Sequence, residues 1–183
     1  MNDADPTAIT DALAAAIDAF NEAGHGITTR EDGIDTDDEW RTQLTKACRL
    51  LAAIDHLAGN GHYTATIELC FGATERSVEA YALAEGGDEL RDFHDHTHCY
   101  DRASELGLFT RDTADRLRNL YDTNRTDSYY GGRRSTENQA AAMQELAEAS
   151  TPTSPSRYVK AVCVSAMRPN KTRRALHTDR FSN

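Results

Sequence analysis

Lysine is scarce in this 183-residue chain. Lys46, Lys160 and Lys171 are the lysines among 20 basic residues, which face 30 Asp and Glu for a formal net charge of −10. Acid excess, arginine in place of lysine, and abundant Ala and Thr read as adaptation to high salt. A dense carboxylate surface stays hydrated when salt has screened ordinary repulsion. The negative charge does not exclude a nucleic-acid partner, because at molar salt local basic groups do the binding and long-range attraction is screened. Cysteine is sparse as well: Cys48, Cys70, Cys99 and Cys163 lie far apart and form no CxxC pair, so neither a zinc site nor a redox motif is indicated. They read as small core residues. Long apolar runs are missing. None approaches the roughly 20 residues that cross a bilayer, and the acidic N-terminus lacks the regions of a secretory signal. The expectation is a soluble, cytoplasmic protein with no membrane partner. Period-two alternation is also absent, which excludes a sheet and leaves an all-α chain.

What is present is helical periodicity. Ile9, Leu13, Ala16, Ile17 and Phe20 recur at helical spacing behind Pro6, predicting a first helix from about Pro6 to Glu22. Residues 24–35 show no period and read as a solvated connection. Asp35 to Asp38 supply capping groups for a second helix, with Trp40, Leu44, Ala47, Cys48, Leu51 and Ile54 on its core face, ended by Gly59-Asn60-Gly61. A third starts near Tyr63 and carries Ile67, Cys70, Phe71, Thr74, Val78 and Tyr81 until Gly86-Gly87; the short turn makes these two helices antiparallel. Leu90 to Leu106 reads as a fourth helix closed by Gly107. Thr110 caps a fifth, which buries Ala114, Leu117, Leu120, Tyr121 and Asn124. Thr136 with Gln139 is a capping box for a sixth helix, and Pro152 and Pro155 end the domain. Three parts follow: an N-terminal helix and linker (1–35), a helical bundle (36–150), and a basic C-terminal tail (151–183). From Ser156 onward the tail holds seven basic residues against Asp179 alone, a net of +6, so residues 1–155 carry −16 of the chain's −10. Such an arm suits an acidic partner or nucleic acid, and a plain disordered extension has the same composition.

The segment from Leu120 to Gly131, preceded by Arg118-Asn119 and followed by a capped alanine-rich helix, resembles the last part of HEPN domains. There a penultimate helix carries an Arg and then an aromatic residue before a loop and a final helix. Upstream, His62-Tyr63 leading into Ile67 to Tyr81 looks like that family's long second helix. The resemblance spans about Thr45 to Ala149. It implies an up-and-down bundle of four to five helices, and with the helices read above this chain is expected to hold about five to six. The expected partners are a second copy, giving a homodimer, or a small nucleotidyltransferase. Many members are ribonucleases that use an Arg followed four to six residues later by a His at the dimer seam. Here the positions after Arg118 hold Asp122, Thr123, Asn124 and Arg125, and no histidine follows until His177. Metal-independent RNA cleavage needs a base active near neutral pH, which Asn and Thr cannot supply. The motif is therefore degenerate.

Arg118 and Arg125 are seven apart and share a stripe, so they could clamp two phosphates of an RNA backbone. Asp122 lies between them and offers a plain ladder of helix ion pairs instead. With Asn119 and Asp127, these arginines are the candidate catalytic residues, Asp127 or one of His94, His96 and His98 serving as base across a seam. Tyr129 and Tyr130 could stack on a base, offer a hydroxyl to a nucleotidylating partner, or pack on a neighbouring helix. His94 and His98, one helical turn apart, have the spacing of two metal-ligand histidines. A third ligand is not evident and His-Asp-His-Thr-His is not a hydrolytic zinc helix, so a polar bundle, RNA or partner contact ranks ahead of a metal, and no cofactor is expected. The leading function is a HEPN-like protein of a toxin–antitoxin or defence system that binds RNA or a partner protein, with an incomplete ribonuclease site. The alternative is a catalytically inactive helical dimerisation and interaction module.

Overall fold

A computed structural model describes residues 6–21, 29–129 and 131–151, without the side chains of Pro6, Asp127, Ser128 and Tyr129. Among the described residues it is all-α, with six α-helices and no strand. The chain divides into two compact units, Met1–Glu31 and Asp32–Asn183.

The first unit contributes α1 (Pro6–Phe20). Its Ile9, Leu13, Ile17 and Phe20 are the periodic apolar residues of the sequence, and all are exposed.

The second unit begins by fixing the chain to the helix it enters. The Asp35 amide donates to Thr45 Oγ1 at 3.1 Å, and Thr42 Oγ1 donates to the Asp35 carbonyl at 2.9 Å. From there α2 (Glu39–Ala58) runs to the Gly59-Asn60-Gly61 turn, where Gly61 takes a φ of 77°, a conformation open to a residue without Cβ. Here the His62 amide donates to the Leu57 carbonyl, and α3 (Tyr63–Gly86) returns along α2. The 24-residue α3 is the central helix, packed against α2, α4 (His98–Glu105) and α6 (Glu137–Ser150). It ends at Gly87, whose φ of 68° is the left-handed cap that glycine favours.

Three apolar clusters lie along α3, the smallest joining its Ala80 to Leu44 and Cys48 of α2. At its N-terminal half, Ile67, Cys70 and Phe71 meet Leu51 and Ile54 of α2 and Met143 and Ala147 of α6 (Glu137–Ser150). At its C-terminal half, Val78 and Ala82 meet Phe93, Cys99, Tyr100 and Ala103 of the α4 region and Ala114 of α5 (Arg111–Tyr129). Cys70 and Cys99 are buried free thiols, as expected of small core residues; Cys48 is buried as well, and Cys163 lies outside the described residues.

One expected element is different. The continuous fourth helix over residues 90–106 is instead a 3₁₀ turn at Leu90–Asp92, a non-helical segment, and a short α4 at His98–Glu105. The cause is local side-chain chemistry. Glu89 and Asp92 cap each other's backbone around the 3₁₀ turn, and Asp95 Oδ1 accepts from both the amide and the hydroxyl of Thr97, at 2.9 and 3.0 Å. These bonds hold the chain in turns that compete with the helical ladder. His94 and His98 consequently do not share a helix, and the one-turn spacing that would suit a metal does not exist. The basic tail lies outside the described residues. No described helix is long and apolar enough to cross a membrane.

Candidate functional site

The exposed side of α5 carries the arginines singled out in the sequence, and the structure gives them different surroundings. Arg118 is engaged with carboxylates. Its Nη1 donates to Asp101 Oδ2 of α4 at 2.7 Å, and its Nη2 donates to Asp115 one turn earlier. Arg111 joins the same group, 3.2 Å from Asp101. The guanidinium is thus an inter-helix tie between α4 and α5, shielded from solvent on much of its surface. Asn119 is exposed.

Arg125, two turns further on, stands at a polar cavity of about 230 Å³ walled by Glu68, Phe71, His96, Tyr121, Asn124 and Arg125. Phe71 and Tyr121 form its base, edge to face with ring centres 5.4 Å apart. Arg125 Nη1 donates to the Tyr121 hydroxyl oxygen at 3.3 Å, and Asn124 Nδ2 donates to Glu68 Oε1 at 3.3 Å. His96 closes the cavity from the non-helical segment before α4, its ring centre 6.3 Å from that of Tyr121. Its Nδ1 lies 3.3 Å from Glu75 Oε2. The segment that disrupts the expected helix is therefore the one that brings a histidine to the α5 arginine.

Electrostatics behind the cavity are unusual for carboxylates. Burial pushes the Glu75 carboxyl above its ordinary range, opposed by the neighbouring His96. Burial pushes Glu79, one turn on, up to about 7, opposed by Arg76. Tyr121 is raised by burial and by Glu75, opposed by Arg125. Glu75, at hydrogen-bonding distance, orients the His96 ring.

Beside this cavity is a second, larger one of about 300 Å³ between α3, α5 and α6, with Ile67, Phe71, Leu120, Ala142, Met143 and Leu146 among its walls. Arg133 and Arg134 stand at its edge, in the loop between α5 and α6. Leu120 is 41 % exposed, a large apolar side chain the bundle leaves bare.

Among the described side chains of the residues chosen from the sequence, Arg125 of the catalytic candidates reaches the cavity, with His96 from the histidine cluster. His94 and His98 are exposed elsewhere, His98 beside the Phe93 ring at 6.0 Å. The side chains of Asp127 and Tyr129, and Tyr130 altogether, lie outside the described residues. Among the described residues no group of three or more His, Cys, Asp or Glu side chains is placed to hold a metal ion. Sequence reasoning missed Glu68, Glu75 and Glu79. Their signal is the spacing i, i+7, i+11, which sets three carboxylates on one stripe of an otherwise buried helix.

Fold and cavity define a small helical-bundle protein with a mixed-charge polar pocket and an adjoining apolar groove. The chain belongs to the family described as Domain of unknown function (DUF8154), whose profile matches residues 4–151. No curated protein and no solved structure matches it.

Proposed function

We propose that the protein is a HEPN-like RNA-binding protein of a toxin–antitoxin or defence system, and that the polar cavity on α5 holds a phosphate of single-stranded RNA. The observation behind this reading is the meeting of Arg125 and His96 at one cavity with Tyr121 and Asn124 between them. Guanidinium and imidazolium both donate to phosphate oxygens, and the tyrosine ring is a surface on which a base stacks. Glu68 on the wall and Glu75 behind it repel anions, so affinity is weak.

The reading assigns binding in preference to turnover. His96 can serve as a base, but cleavage also needs a proton for the departing oxygen on the other side of the phosphate. Tyr121 is a poor acid there, because burial raises its pKa. The resemblance adds a second copy and a small nucleotidyltransferase as partners.

Fluorescence polarisation with a labelled single-stranded RNA in concentrated KCl tests the proposal. Wild-type protein should bind, and Arg125→Ala and His96→Gln should each weaken binding about tenfold, the loss of one charge-assisted hydrogen bond. Wild-type protein that retains no RNA would overturn it.

A second reading is favoured by one specific observation, the apolar groove with its exposed Leu120. It makes the protein a catalytically inactive interaction module. Dimeric protein inert toward RNA would select it.

A further inference from the structure

The cavity of about 300 Å³ between α3, α5 and α6 changes character along its length. Along α6 its wall passes from Gln139 to Met143 one turn on and Leu146 two turns on, and along α5 from Thr123 and Asn124 back to Leu120. Arg133, Arg134 and Ser135, in the loop that joins these helices, complete the polar end. We infer that this cavity binds a small amphipathic carboxylate. A single ring or a short acyl chain lies on the apolar walls, and its carboxylate meets the arginines.

The loop end of the cavity is built of donors. Ser135 Oγ accepts from Thr64 Oγ1 at 2.9 Å, which leaves its own hydroxyl proton to give. Gln139 Oε1 is taken by the amide and the hydroxyl of Thr136, at 2.9 and 3.1 Å, so its NH₂ group is what it offers a ligand. Arg134 is exposed and makes no ion pair among the described residues. The same bonds position the loop: Thr64 ties it to α3, and the Thr136 cap ties it to α6. In a chain with 30 Asp and Glu, no carboxylate lines this cavity among the described residues. Such a mouth repels a cation and leaves a purely apolar ligand beside unmatched donors. A carboxylate answers it, because its two oxygens accept parallel bonds from a guanidinium.

Size and apolar lining set the rest of the ligand. The volume lies at the lower limit of small-molecule sites, so a single ring or a short chain fits and a two-chain lipid does not. Its apolar part covers Leu120, 41 % exposed, beside Ile67, Phe71, Met143 and Leu146. Every wall belongs to the unit Asp32–Asn183. Arg125 and His96 line the neighbouring cavity and not this one, so the inference stands apart from RNA binding.

The test is calorimetric titration of the full chain in concentrated KCl, with phenylpropionate and octanoate as probes and their uncharged amides as controls. Each acid should bind one to one, and each amide at least about tenfold more weakly, for want of the charge-assisted pair. Arg134→Gln should weaken binding of the acids about tenfold and leave that of the amides unchanged. Ala142→Trp, at an exposed position on the cavity wall, should block acids and amides alike, with circular dichroism showing both variants as helical as wild type. Wild-type protein that binds neither acid would overturn the inference and leave the groove to a protein segment. Equal affinity for acid and amide, an Arg134→Gln variant that binds the acids as wild type does, or acid binding that survives Ala142→Trp would each overturn it too.

Discussion

His96 Nδ1 lies 3.3 Å from Glu75 Oε2, across an imidazole that is 66 % exposed and a carboxylate that is 12 % exposed. The pair joins the surface of the α5 cavity to the interior of α3. The Glu75 carboxyl, raised above its ordinary range by burial, fixes the position of the imidazole at the mouth of the cavity.

Stability should fall as pH rises through the carboxylate window. Glu79 is raised by burial from 4.5 to about 7, so the folded chain takes up a proton that the unfolded chain has already released. Its neutral form favours the fold below about 4.5, and the penalty for ionising it grows until about 7 and then levels off. Glu79→Gln removes the titration while keeping the shape. The variant should melt at a higher temperature than wild type at pH 8 and at a similar one at pH 4.5. A variant that melts lower at pH 8 would show that the ionised carboxylate, through Arg76, is stabilising instead.

A cap prediction follows from α6. Thr136 Oγ1 accepts from the Gln139 amide at 3.3 Å, and Gln139 Oε1 accepts from the Thr136 amide at 2.9 Å. Both halves of the box are made. Thr136→Ala should therefore cost about 1 kcal/mol of stability, read from chemical denaturation. Gln139→Ala should cost less, since its removal leaves an exposed amide to water. Equal, negligible losses would mean that α6 is held by Met143 and Ala147 packing alone.

That capping box was legible because all its partners lie within four residues. So were α2, α3 and the Gly59-Asn60-Gly61 turn, where apolar period and backbone freedom agree. The segment around His94 was not. Its helical period is real, but Asp95 captures Thr97 through two short side-chain bonds, and such local competition does not show in a hydrophobic pattern. The cavity was only half legible. Arg125 stood out on its stripe, whereas the approach of His96 to Tyr121 comes from tertiary packing of segments 25 residues apart, which no spacing rule encodes.

Salt should stabilise the fold. The chain has 30 acidic and 20 basic residues, and lysine is nearly absent, so self-repulsion of the surface is large in dilute buffer and falls as counterions screen it. Circular dichroism should show a higher melting temperature in concentrated KCl than in buffer alone. The same melting temperature in both would remove the salt-adapted reading of the composition.

Arg118 and Arg125 should separate by function, although the sequence sets them on one stripe. Arg118 ties α4 to α5 through Asp101 and Asp115, with its side chain 26 % and that of Asp101 24 % exposed. A bond of this kind is worth more than an open helix ion pair of about 0.3 to 0.5 kcal/mol, because removing the cation leaves a half-buried carboxylate short of a donor. Arg118→Ala should therefore lower stability by about 1 kcal/mol, with Arg111 retaining part of the interaction, and should leave RNA affinity unchanged. Arg125 is exposed and donates to the Tyr121 hydroxyl, so Arg125→Ala should lower RNA affinity and barely move the melting temperature. The two measurements on the two variants form a cross. If Arg118→Ala instead weakens RNA binding without loss of stability, the phosphate contact belongs to the α4–α5 seam and not to the His96 cavity.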